Sequence, residues 1–241
     1  MLEVQDVDVQ FGVLNALSGV DLCAEPGRVT GLIGPNGAGK TTLFNVITGL
    51  QAPTRGRVRI DERDVTKLKP HHRARQRVGR TFQRLEVFGA LTARENILVA
   101  AEIRNSWDST NEDPRTVADE ILTRVGLRAV ADNPVDAMPT GMARLVELAR
   151  ALAIRPKLLL LDEPGSGLDP DETYALGELL LELAADGMAI LLVEHDVELV
   201  MRICEELYVL DFGRLIANGT PAQVQADGAV QAAYLGLDVP V

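Results

Sequence analysis

The chain of 241 residues carries 24 Lys and Arg against 35 Asp and Glu, a net charge of −11. Its composition, 46% hydrophobic and 24% charged, suits a folded domain with a sizeable core and excludes a disordered chain. The negative charge speaks against nucleic acid as a partner, since nothing neutralises a phosphate backbone wholesale. Two cysteines, Cys23 and Cys204, are too few for a disulfide scaffold and read as ordinary thiols of a reducing cytosol. The acidic opening Met1-Leu-Glu-Val-Gln-Asp-Val-Asp has no signal-peptide pattern, and no apolar run nears the roughly 18 residues that span a bilayer. A soluble, intracellular chain is expected, held at a membrane only by a partner.

Alternating apolar residues Leu2, Val4, Val7 and Val9 predict an opening strand, and residues 18–24 a second that pairs with it. Residues 28–33 predict a short buried strand ending in a glycine-rich turn, and 40–50 a helix. Further strands are expected at 57–60 and 78–82. From about 84 to 155 the texture changes to helical spacing over 93–104, 114–126 and 141–154, with a polar stretch at 105–113. Trp107, in that stretch, reads as a local packing residue. Then follow a buried strand at 158–162, a helix at 171–186, a strand at 188–194, a helix at 197–206 and a strand at 207–211. Such alternation predicts an α/β fold with a parallel sheet and right-handed crossovers. Residues 1–83 and 156–241 are expected to form its core, and 84–155 an all-helical insert.

The run Gly34-Pro35-Asn36-Gly37-Ala38-Gly39-Lys40-Thr41, followed by Thr42, matches the P-loop pattern in its required place between strand and helix. Glycines let successive N–H groups turn inward around phosphates, and the helix N-terminus adds partial positive charge. Lys40 is expected on the β- and γ-phosphates and the Thr41 hydroxyl on Mg²⁺. The pattern implies a nucleoside triphosphate site. Leu158-Leu-Leu-Leu-Asp162-Glu163 is an apolar strand ending in two carboxylates. Asp162 is expected to hold Mg²⁺ through water. Glu163 is a candidate general base, or else a helix-capping acid, although Pro164 and Gly165 break the chain directly after it.

With these motifs the chain resembles the ATP-binding cassette (ABC) ATPases over essentially its whole length. The resemblance implies a RecA-like P-loop core with N-terminal antiparallel strands and a helical subdomain insert. It also implies that ATP is the nucleotide. Arg80-Thr-Phe-Gln83 stands where that family has a glutamine that reaches Mg²⁺ and the attacking water, in a loop that senses the transmembrane partner. Gly165-Ser-Gly-Leu-Asp169 is similar to the family's D-loop, which crosses a dimer interface. His195, in Val193-Glu-His195-Asp, matches the switch histidine that contacts the γ-phosphate and holds Glu163 and the water. Phe11 falls where the family stacks an aromatic on adenine; the alternative is a core residue.

The family's Leu-Ser-Gly-Gly-Gln signature is here Met138-Pro139-Thr140-Gly141-Met142, which keeps only the second glycine. Pro139 replaces a serine that would bond the γ-phosphate held by the other subunit, while Gly141 can still lend its N–H. In a head-to-tail dimer this weakens the partner's site and not the chain's own. A heterodimer with a second ATPase is therefore expected over a homodimer. Gly79-Arg-Thr-Phe-Gln-Arg-Leu-Glu-Val-Phe88, Leu91-Thr-Ala-Arg-Glu-Asn-Ile97 and the tail from Asn218-Gly-Thr-Pro221 to Ala233-Tyr-Leu-Gly236 are similar to the ATPases of branched-chain amino acid importers. That likeness implies two transmembrane permease subunits, an extracytoplasmic substrate-binding protein acting indirectly, and a place on the cytoplasmic face of the membrane. Related importers of amides or urea, and a nucleotide-dependent regulatory switch, are the alternatives. A basic stretch holds Lys67, Lys69, Arg73, Arg75, Arg77, Arg80 and Arg84 with no acid between. It reads as a solvated helix face or as a surface toward anionic headgroups or an acidic permease loop. His71 and His72 are expected to be exposed, without a ligand pattern.

Overall fold

The structure, a computed structural model, describes residues 1–110 and 112–235; Gly236, which ends the tail motif, lies outside them. The chain opens with β1 (Leu2–Phe11) antiparallel to β2 (Leu14–Ala24). The apolar positions of β1 change phase between Val4 and Val7, which a regular strand cannot place on one face. Asp6 resolves the conflict. Its backbone turns left-handed (φ 49), the register with β2 slips there, and Leu2, Val4, Val7 and Val9 are all buried. β2 begins earlier than expected because the turn at Gly12 leads straight into the pair Phe11–Leu14.

Next come β3 (Val29–Ile33), α1 (Lys40–Thr48), β4 (Arg55–Ile60), β5 (Arg63–Asp64), α2 (Pro70–Ala74) and β6 (Val78–Arg80). Three helices follow: α3 (Ala93–Asn105), α4 (Pro114–Arg124) and α5 (Thr140–Ala153). The chain continues through β7 (Leu158–Asp162), α6 (Pro170–Ala185), β8 (Ala189–Val193), α7 (Val197–Ile203), β9 (Glu206–Asp211), β10 (Arg214–Gly219), α8 (Pro221–Ala226) and α9 (Gly228–Leu235). One antiparallel sheet has the order β2-β1-β4-β5. The other has the order β10-β9-β3-β8-β7-β6, parallel except for the β9–β10 hairpin. The fold is the α/β class expected.

Several boundaries differ from the sequence reading. β6 stops at Arg80, because the Asp162 N–H of β7 goes to the Thr81 hydroxyl instead of a backbone carbonyl and the Phe82 N–H goes to Glu147 on α5. α7 stops at Ile203: Cys204 is extended and Glu205 donates its N–H to Val29, which starts β9. α2, β5, β10, α8 and α9 are additions, and α2 and α8 are too short to show a helical period.

Strands β7 and β8 are buried on both faces, as parallel strands covered by helices must be. Side chains alternate across β7, so Leu158 and Leu160 face α1 residues Leu43, Phe44 and Ile47, while Leu159 and Leu161 face the layer containing Val146 and Leu148 of α5. α3 and α6 each begin with a capping box, Thr92 with Glu95 and Asp169 with Glu172. Trp107 is half-buried in the turn after α3. Cys204 is buried and its thiol pushed up to about 12, so it stays an unreactive thiol at neutral pH.

The basic stretch is not one helix face. Lys67, Lys69, Arg75 and Arg84 are exposed, but Arg73 is only 1% exposed. Its guanidinium donates to the Val46 and Ile47 carbonyls at 2.6 and 2.7 Å, and to those of Leu68 and Thr66 at 3.0 and 2.8 Å. Arg73 thus caps the C-terminal end of α1, where carbonyls lack helical partners and a cation is favoured. His71 and His72 are exposed. Arg73→Ala should lower stability by about 2–4 kcal/mol, since it strands buried carbonyls. Urea denaturation checks this, and a loss under about 0.5 kcal/mol, the range of ordinary surface changes, would contradict the capping role.

Candidate nucleotide-binding site

The loop between β3 and α1 can form only because two glycines stand where they do. Gly34 has φ 151, and a Cβ there would lie 2.0 Å from the Leu210 carbonyl. Gly39 has φ 112, and its Cβ would lie 2.8 Å from the Ala16 carbonyl on β2. Ala38 is buried, whereas Asn36 and Gly37 are exposed and Pro35 half-buried. α1 starts with no side-chain cap and no acid in its first turn, so its N-terminal amides are free to meet an anion. The Lys40 ammonium lies along the loop, donating to the Gly34 and Pro35 carbonyls at 2.5 and 3.0 Å. Burial pulls it down, opposed by the carboxylates of Glu163 and Asp162. Thr41 is exposed and Thr42 half-buried beside it.

Asp162 closes β7 with only 3% exposure, and its N–H donates to the Thr81 hydroxyl at 3.1 Å. Its carboxyl is raised by burial and held back by the Arg80 guanidinium 3.6 Å away. Its Oδ2 has no hydrogen-bond partner. An orphaned buried carboxylate oxygen, with the Thr41 hydroxyl and the Gln83 amide, is the hard-oxygen donor set that suits Mg²⁺.

Glu163 adopts φ 52, a left-handed backbone that costs a non-glycine residue about 1–3 kcal/mol. The conformation is fixed by its N–H to Val193 at 2.9 Å. Its Oε1 meets His195 Nε2 at 3.0 Å and accepts from Gln83 Nε2 at 3.3 Å. Two residues distant in sequence, His195 and Gln83, therefore converge on one oxygen of Glu163, and all three stand at or just beyond the ends of neighbouring parallel strands.

Sequence reasoning missed Glu194. It is buried, its Oε1 accepting from Gly165 N–H at 2.7 Å and its Oε2 from His195 N–H at 2.9 Å. One side chain thus ties the turn after Glu163 to the His195 turn. A charged residue at the end of the buried run 189–193 was the available signal. Arg80 was read as part of the basic run and of the Gln83 motif, with no structural role of its own. It bonds Asn45 Oδ1 at 2.7 Å and Thr48 Oγ1 at 3.2 Å, and so links β6 to α1.

Phe11 is 49% exposed and not core. It pairs with Leu14 at the turn of the hairpin, two residues from Ala16, whose carbonyl abuts Gly39. Gly141 stands apart from the loop of 34–42. It sits in the first turn of α5, where a Cβ would clash with the Gly167 carbonyl at 2.9 Å and the Leu168 side chain at 2.7 Å. The segment 165–169 therefore packs on the start of α5 in the same chain.

Known proteins resemble the chain in sequence and in fold. Residues 17–166 match the family model described as ABC transporter, and 214–239 that described as Branched-chain amino acid ATP-binding cassette transporter. The chain is 38% identical over 249 aligned residues to the high-affinity branched-chain amino acid transport ATP-binding protein BraF of Pseudomonas aeruginosa, covering 98% of each. It is 36% identical over 236 residues to the lipopolysaccharide export system ATP-binding protein LptB of Haemophilus influenzae, covering 98% of this chain and 97% of that one. The crystal structure of a nucleotide-free ATP-binding cassette from an ABC transporter superposes with a TM-score of 0.88 at 32% identity, covering 97% and 98% of the two chains. With residues 17–166 matched by the family model and nearly its whole length shared with these relatives, the chain belongs to the ABC transporter family, as an ATP-binding subunit whose ATP hydrolysis is coupled to transport.

Proposed function

We propose that this subunit powers substrate uptake, with branched-chain or related amino acids as cargo, from the cytoplasmic face of the membrane. The cargo reading is supported by the match of residues 214–239 to the branched-chain family, which favours it over the lipopolysaccharide export of the other relative. Among the described residues no helix is long and apolar enough to cross a membrane. In this reading two permease subunits carry the passage, as partners of an ABC transporter ATP-binding subunit. A groove of about 600 Å³, lined by Phe82, Val87, Phe88, Ile103, Arg150 and Ile154, lies beside the Gln83 loop and suits a permease helix.

The observation that carries the catalytic reading is the meeting of His195 and Gln83 on Glu163 Oε1. Glu163 takes the proton of the attacking water. His195 fixes the carboxylate and reaches the γ-phosphate, and Gln83 orients the water. The loop of Gly34, Pro35, Asn36, Gly37, Ala38 and Gly39 wraps the phosphates, with every residue but Pro35 offering a backbone N–H, and Lys40 follows the charge that develops on the β- and γ-phosphates. Thr41, Asp162 and Gln83 would hold Mg²⁺, which would supply neutralisation of the phosphate charge. Thr42 supports the loop from the first turn of α1, and Phe11 stacks on adenine from its exposed place at the hairpin turn.

α5 starts at Thr140 with Pro139 as its N-cap, and that residue has no side-chain donor or acceptor to offer. Gly141 can present its N–H to the nucleotide of a partner, but no hydroxyl stands before it. A heterodimer with a second ATPase follows, in which the chain's own site borrows the partner's signature. An extracytoplasmic binding protein then delivers cargo to the permease.

Glu163→Gln protein, tagged and incubated with ATP and Mg²⁺ in detergent-solubilised native membranes, should capture two multi-span permease chains and a second ATPase. Capture of itself alone, or of soluble proteins, would remove the transport reading. Pro139→Ser should raise turnover at the partner's site by about 10- to 100-fold, the worth of one hydrogen bond to a charged group; unchanged activity of the assembled dimer would count against the asymmetric signature. Glu194→Ala should lower kcat by about 10- to 100-fold by freeing the His195 turn, with Glu194→Gln milder because one carbonyl oxygen remains. Equal losses in both variants would contradict that role.

A further inference from the structure

Arg80, the last residue of β6, is a cation held in place from several sides. Its side chain is only 7% exposed. Nη1 donates to Asn45 Oδ1 at 2.7 Å and to Thr48 Oγ1 at 3.2 Å, both on α1, and Nε donates to the Thr81 carbonyl at 3.2 Å. The guanidinium also lies over two rings, 4.7 Å from the centroid of Phe82 and 5.6 Å from that of Phe44. Its remaining nitrogen, Nη2, faces Asp162 Oδ2 at 3.6 Å, too far for a hydrogen bond but close for a charge.

The three acceptors that hold Arg80 are neutral, so a tie between β6 and α1 does not by itself call for a charge. A buried cation is costly unless an opposite charge stands beside it. Among the described residues the ion-pair partner of Arg80 is Asp162. Asp162 and Glu163 bring two negative charges to the end of β7, and Arg80 and Lys40 bring two positive ones to meet them. The four cancel. The two cations differ in freedom. Lys40 bonds only carbonyls of its own loop and can turn to phosphate, whereas Arg80 is fastened to α1 and keeps its charge. A divalent cation arriving alone at Asp162 adds two positive charges beside a fixed third. One that arrives with a nucleotide brings the phosphates' negative charge along, which is how Mg²⁺ is commonly held, by one or two carboxylates and substrate phosphates together.

We propose that Arg80 is a positioning residue that serves Asp162 as a permanent counter-cation, closing the metal position to a divalent cation alone and leaving it open to one that comes with a nucleoside triphosphate. The empty site then stays clear of stray divalent cations, and metal and nucleotide are taken up together. The inference rests on reading Asp162 as part of the Mg²⁺ site.

The test titrates the full chain with Mn²⁺ in the absence of nucleotide, reading free Mn²⁺ by electron paramagnetic resonance. In Arg80→Met, binding at one site should tighten at least about tenfold, since a unit charge so close acts through little solvent. Arg80→Gln, which keeps an amide donor for α1, should show the same gain, and it carries the comparison if the methionine variant does not fold. Arg80→Lys, which restores the charge, should return the affinity to within about threefold of the wild type. Adding Asp162→Asn to Arg80→Met should abolish the gain. Methionine and glutamine variants that bind Mn²⁺ no tighter than the wild type overturn the proposal. So does a lysine variant that binds as tightly as they do, or a gain that survives Asp162→Asn. The reading of Asp162 as a metal residue fails by a separate result: with ATP present, Asp162→Asn alone would then hold Mn²⁺ as tightly as the wild type.

Discussion

The geometry around Glu163 Oε1 is the constraint on which the rest of the molecule depends. That oxygen is placed by a left-handed backbone at the end of β7 and met by His195 from the end of β8 and Gln83 from beyond β6. Such a meeting requires neighbouring parallel strands to end at one level, which a doubly covered parallel sheet provides. The leucines of β7 and the Ala-Ile-Leu-Leu-Val run of β8 are buried on both faces, so neither strand can slip without exposing a full row of side chains. The strained residue at 163 is held by a core that leaves it no alternative.

Around that centre, charged side chains do work that their composition does not advertise. Glu194 ties two turns at the site, Arg73 caps the helix that begins at Lys40, and Arg80 links β6 to α1 and Asp162. Each is charged and wholly or largely buried, and each is bonded mainly to backbone or to groups of the nucleotide site. Buried charges survive only with such partners, so their positions mark where the backbone needs fixing. For a protein that turns phosphate chemistry into movement, these are the joints between loops and helices.

Much of this was legible in the sequence. The P-loop pattern, the apolar strand ending at Asp162-Glu163 and the strand end before His195 are local signals with a fixed spacing, and each falls at the end of the strand expected for it. The phase change from Val4 to Val7 went unread in the sequence, where β1 was expected as a plain strand, and the structure assigns it to a bulge at Asp6. What was hidden depends on pairing between distant segments. The role of Arg73 needs α1 beside α2, and the role of Glu194 needs Gly165 beside His195. No periodicity in one segment reports such meetings. The early end of β6 has the same origin, since Phe82 leaves the sheet for a carboxylate on α5.

The most direct test of the account is single-turnover ATP hydrolysis in the assembled complex, comparing wild type with Glu163→Gln at saturating ATP and Mg²⁺. If Glu163 is the base toward which His195 and Gln83 are arranged, the chemical step should slow by about 10²- to 10⁴-fold, the usual worth of general base catalysis, with ATP binding intact. A chemical step within about threefold of wild type, against that same expectation, would mean that the convergence on Glu163 organises something other than catalysis.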